Sequence, residues 1–141
     1  MAFRLGTKSK TNLKGVHPDL VAVVERAIQL TSQDFQVTDG IRTIEEQRIY
    51  VKKGTSKTMK SLHLPQKDGH GHAVDLVPYI EAAKGPVWEG KGVPAAFKRI
   101  ETAMWRAAKE LKIDVRRIAG GLVPQWDSPH WELPASYRKK G

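Results

Sequence analysis

The tightest constraint on the fold comes from two amphipathic helical patterns that lie far apart in the chain. Pro94 opens the longer one, about 94–111, and Phe97, Ile100, Met104, Ala107, Ala108 and Leu111 share one side of it. His17-Pro18-Asp19 opens the other, and Leu20, Val23, Val24, Ala27 and Ile28 recur at helical spacing up to Leu30. Each stripe needs an apolar partner, and short strand patterns lie between the two. Phe35–Thr38 alternates before Asp39-Gly40, and Ala73–Val77 reads as a buried strand ended by Pro78. His130–Leu133 reads as a last short strand, and Val115–Ile118 as a further candidate. Helices and strands mix without regular alternation, which predicts an α+β fold.

Thr43 with Glu46 three residues on spells a capping box for a helix to about Lys53, stopped by Gly54. Residues 54–72 read as a long loop, a length usually reserved for function or motion. Residues 1–15 read as an extended basic lead-in, 79–93 as a polar connection and 135–141 as a basic tail. The 141 residues are enough for one compact domain over 1–141 with its own core.

The chain has no cysteine, so a transition metal here would rest on imidazole and carboxylate. No apolar run approaches the roughly 20 residues of a membrane span, and the basic N-terminus lacks a secretory apolar stretch. Lys and Arg number 24 against 15 Asp and Glu, a net charge of +9 that suits a polyanionic partner. On charge alone that partner would be nucleic acid. The motifs point elsewhere.

There are five histidines: His17, His63, His70, His72 and His130. Three fall within ten residues, beside Asp68 and Asp75. His130 stands in Asp127-Ser128-Pro129-His130-Trp131-Glu132, where strand alternation puts His130 and Glu132 on one face. Two histidines and a carboxylate satisfy an open zinc site. Taken singly, His70 and His72 also read as surface histidines and His17 as structural. Trp105 reads as core, Trp88 as exposed, and Trp126 and Trp131 as groove-lining or packed.

Ser61-Leu62-His63-Leu64 followed by Gly71-His72-Ala73-Val74-Asp75 resembles the S-x-H-x-x-G-x-A-x-D signature of the D-Ala-D-Ala carboxypeptidase/VanY metallopeptidases. Asp127-x-x-His130-x-Glu132 resembles their second signature. Gly40-Ile41-Arg42-Thr43, Gln47 and Gly54-Thr55 resemble the block that precedes the first ligand. The three blocks stand in the same order. The likeness is greatest to the phage endolysin branch, the L-alanyl-D-glutamate peptidases.

The resemblance implies a small antiparallel sheet flanked by helices, a hedgehog/DD-peptidase-like fold. It implies zinc on His63, Asp75 and His130, with Asp127 as the base that activates water. Arg42 would lie near the developing oxyanion, Ser61 would support the site and Glu132 would orient His130. Trp131 flanks the proposed site and, by position alone, reads as lining the substrate groove or as packed. The link from His63 to Asp75 is longer than the family's short form, so His70, five residues before Asp75, is a rival ligand. Ala119-Gly120-Gly121-Leu122 departs from the relatives' Trp-Gly-Gly-Asp.

The expected activity is hydrolysis of the L-Ala–D-Glu bond of peptidoglycan stem peptides, with D-Ala–D-Ala as the nearest alternative. The expected setting is a phage endolysin: a monomer held in the host cytoplasm and acting at the wall, without membrane insertion or nucleic acid. Two other classes compete, a basic metal nuclease and a non-catalytic wall-binding module.

Overall fold

The computed structural model describes residues 2–54, 61–117 and 129–137. In chain order the helices are α1 (Thr7–Leu13), α2 (Pro18–Leu30), α3 (Ile44–Lys52) and α4 (Val93–Leu111). The strands are β1 (Phe35–Asp39), β2 (Ala73–Ile80), β3 (Gly85–Pro86) and β4 (His130–Glu132). β2 is the hub of an antiparallel sheet and pairs with β1, β3 and β4. The architecture is the α+β arrangement expected.

The two helical stripes explain the core. Leu20, Val23, Val24, Ala27 and Ile28 of α2 and Ile100, Met104 and Ala107 of α4 are buried together with Phe35, Val37, Val74, Leu76 and Trp131 from the sheet. Burying each large apolar side chain contributes about 1.5–3 kcal/mol. Leu111, at the end of the stripe, is only partly covered. Val77 packs separately with Val93 and Phe97 at the start of α4.

Four expectations need correction. The lead-in is not extended throughout, because α1 forms within it. Its polar residues are poor helix formers in isolation, but here they meet the backbone of β1. The Ser9 hydroxyl accepts from the Val37 N–H at 2.9 Å, and Asn12 Nδ2 donates to the Val37 carbonyl at 2.8 Å.

Pro78 does not end β2, which runs on to Ile80. Tyr79 N–H donates to the Asp34 carbonyl, so the Pro78 carbonyl points to the other side of the strand, where it accepts from Val87. The missing proline N–H is therefore not required by β1. Arg116 makes only an isolated bridge to Glu132 rather than a strand, and Ile118 lies outside the described residues. Trp105 is 42% exposed on α4 rather than core, its ring edge set against Trp131.

Candidate metal centre

The sheet register builds the centre. Asp75 on β2 stands opposite His130 on β4. On its other side it stands opposite Asp39 on β1, where an unbroken register would place Thr38. The irregularity between Val37 and Asp39 re-aims the end of β1, a device common beside active sites. His63 arrives from the loop that follows the undescribed residues 55–60.

His63, Asp75 and His130 form the one group among the described residues able to hold a metal ion, with donor atoms all within 4.8 Å of one another. His63 Nε2 lies 3.4 Å and His130 Nδ1 3.5 Å from Asp75 Oδ1. Each ring's other nitrogen is already engaged. His63 Nδ1 donates to the Gly40 carbonyl at 2.7 Å, and His130 Nε2 donates to Glu132 Oε1 at 2.7 Å. Protons held there turn the inward nitrogens of both rings toward Asp75, the orientation a metal ligand needs. The donor set, two imidazoles and one carboxylate, fits zinc with a corner left open.

Electrostatics knit the group together in the metal-free protein. Burial opposes charge on Asp75, but hydrogen bonds from His130 and His63 outweigh it and hold the carboxyl well below the usual range. Burial likewise opposes charge on His130, yet Asp75 and Glu132 push its pKa up to about 9. A cation held by these residues would take the place of that proton.

The surrounding side chains are held as firmly. Glu132 is 1% exposed, so it is a buried partner of His130 rather than a surface glutamate, and its Oε2 pairs with Arg116 at 3.1 Å. Arg42 Nε and Nη2 both donate to Asp39 Oδ2, at 2.8 and 2.5 Å, and Nη1 donates to Gln47 at 3.0 Å. Its guanidinium lies over the Tyr50 ring and 4.0 Å from Asp75. The predicted capping box at Thr43 and Glu46 is present and starts α3, the helix that carries Gln47 and Tyr50 to Arg42. The Ser61 hydroxyl accepts from the His63 N–H at 3.1 Å.

Gly40 sits where its backbone touches α1. A Cβ there would meet the Asn12 carbonyl oxygen at 1.8 Å, so only glycine allows the approach that puts its own carbonyl on His63.

The structure therefore brings together His63, Asp75 and His130, with Arg42, Ser61 and Glu132 close by. It does not bring in His70, whose ring packs against His17 instead. Trp131 is corrected from groove to core. It is 1% exposed, and strand alternation turns it away from the face of its neighbours His130 and Glu132. Asp127 and Trp126 lie outside the described residues. Sequence reasoning missed Asp39, Tyr50 and the Gly40 carbonyl, and left Gln47 without a role. A carboxylate three residues before an arginine was the available signal for Asp39.

Comparison with known proteins shows what the chain is similar to. The family model for phage L-alanyl-D-glutamate peptidase matches residues 1–132. The L-alanyl-D-glutamate peptidase of Escherichia phage T5 is 35% identical over 118 residues, which span 82% of this chain and 80% of that protein. The crystal structure of the L-Ala D-Glu endopeptidase of Serratia marcescens matches with a TM-score of 0.75 at 36% identity, over 94% of this chain and 90% of that one.

Proposed function

Because the chain belongs to the phage L-alanyl-D-glutamate peptidase family, we propose that it is a zinc-dependent endopeptidase that cuts the L-Ala–D-Glu bond of peptidoglycan stem peptides. The observation that carries the metal reading is the pair of histidine rings whose outer nitrogens are already bonded and whose inner nitrogens face Asp75.

His63, Asp75 and His130 would hold the zinc. Bound there, the ion supplies a Lewis acid and a water whose pKa falls from about 15.7 to about 7. Asp127, three residues before His130, takes the proton from the attacking water and passes it to the leaving amine. Arg42 stabilises the oxyanion that forms on the scissile carbonyl, a contribution of about 3–4 kcal/mol for a donor of this kind. Its support by Asp39, Gln47 and Tyr50 favours this role, because a preformed donor needs no reorganisation during the reaction.

The net charge of +9 suits the anionic polymers of a cell wall. No helix among the described residues is long and apolar enough to cross a membrane. We read the protein as a monomeric endolysin that reaches the wall from the host cytoplasm.

The test is mass spectrometry of wall fragments after digestion. New amino termini at D-Glu support the assignment, and loss of terminal D-Ala alone would reassign the enzyme as a carboxypeptidase. The Asp127→Asn variant should bind zinc and lose activity, and full activity in that variant would remove Asp127 from its role. Nicking of plasmid DNA without wall cleavage would favour the nuclease reading.

A further inference from the structure

The histidines left outside the metal group gather at a second point. His72 is fully buried. Its Nδ1 lies 2.9 Å from the Pro134 carbonyl oxygen, and its Nε2 lies 2.7 Å from Asp68 Oδ2. A carbonyl oxygen and an ionised carboxylate only accept, so this arrangement asks for a proton on each ring nitrogen. The other Asp68 oxygen accepts from the His70 N–H at 2.9 Å. Burial opposes the charge on Asp68, but the His70 amide and the His72 ring outweigh it and hold the carboxyl below its usual range.

This pair closes the loop that carries His63. The His72 N–H donates to the Leu62 carbonyl at 2.7 Å, immediately before His63. The His72 carbonyl accepts from Leu133, just past β4, at 2.8 Å. Gly71 N–H donates to Gly15, and the Gly71 carbonyl accepts from His17, both at 2.9 Å. The loop, the start of α2 and the strand bearing His130 therefore meet at residues 71–72.

We propose that Asp68 and His72 are positioning residues, an ion pair that clasps the 61–72 loop so that His63 stands opposite Asp75 and His130. The consequence for metal binding rests on the reading of those three as ligands; the clasp itself does not.

The groups facing the pair come from three elements. His17 and Asp19 belong to the start of α2, His70 to the loop, and Tyr137 to the C-terminal segment. His17 Nε2 is 3.8 Å from Asp68, while its Nδ1 accepts from the Asp19 N–H at 3.0 Å as the cap of α2. Burial lowers the His17 pKa despite Asp19, in keeping with a neutral ring that accepts a hydrogen bond. The Tyr137 hydroxyl donates to Asp19 Oδ2 at 3.0 Å. The contact needs an ionised Asp68, whose carboxyl is held below its usual range, so it is in place at neutral pH.

Hydrogen exchange on the metal-free protein tests the clasp. Near neutrality, Asp68→Asn should exchange the Leu64, Gly71 and His72 amides about tenfold faster, since it loses a charge-assisted bond. Asp68→Glu should restore part of the protection. Equal protection in wild type and Asp68→Asn, or no recovery of protection in Asp68→Glu, would overturn the proposal. Zinc affinity, measured by competition with a chromophoric chelator, should fall about tenfold in Asp68→Asn, the low end for residues that support a ligand. A wild type that takes up no zinc contradicts the metal reading, and the exchange arm then decides the clasp alone.

Discussion

At the residue scale, the centre depends on groups that fix where the histidine protons sit. Glu132→Gln keeps the shape but removes the charge that orients His130. Zinc affinity should fall by about 10–100-fold in that variant, read by chelator competition, with the circular dichroism spectrum unchanged. Arg42→Ala should keep its zinc and lose about 10²–10³ in kcat, the scale for removal of one oxyanion donor. A loss of zinc in Arg42→Ala would instead make the arginine part of the scaffold.

The pH dependence of the metal-free protein follows from the same contacts. His130 has a folded pKa raised to about 9, against about 6.5 in an unfolded chain. Its contribution is complete below about pH 6.5 and is lost as pH rises toward 9. Asp75 is depressed, so its contribution is complete above about pH 4 and is lost as pH falls. With chelator present, the gap in denaturant midpoint between wild type and His130→Gln should therefore be wider at pH 6 than at pH 10.

At the scale of elements, much of the structure was legible and the misses share a cause. The periodic stripes marked α2 and α4, and the capping box marked α3, because local chemistry sets those features. α1 was missed because its helix depends on Ser9 and Asn12 bonding to Val37, which lies 25 and more residues away. The shift in register between Val37 and Asp39 and the Gly40 carbonyl on His63 are backbone events that side-chain identities do not announce. Trp131 was different: alternation that placed His130 and Glu132 on one face already placed Trp131 on the other.

Two substitutions probe these elements. Thr43→Ala should cost about 1 kcal/mol through loss of the cap and should loosen the helix that steadies Arg42, seen as a lower melting temperature with reduced kcat. Gly40→Ala should be more damaging, since its Cβ would fall 1.8 Å from the Asn12 carbonyl. A melting temperature equal to wild type in Gly40→Ala would mean that α1 and β1 part easily.

At the scale of the whole molecule, the candidate ligands come from a loop and two neighbouring strands, spread over 68 positions from His63 to His130. They meet only when the sheet forms, so zinc and folding should be coupled. The most direct measurement is anomalous diffraction at the zinc edge from crystals grown with zinc. The account predicts one strong peak bounded by His63 Nε2, Asp75 Oδ1 and His130 Nδ1. A peak elsewhere, or none at full zinc loading, would contradict it.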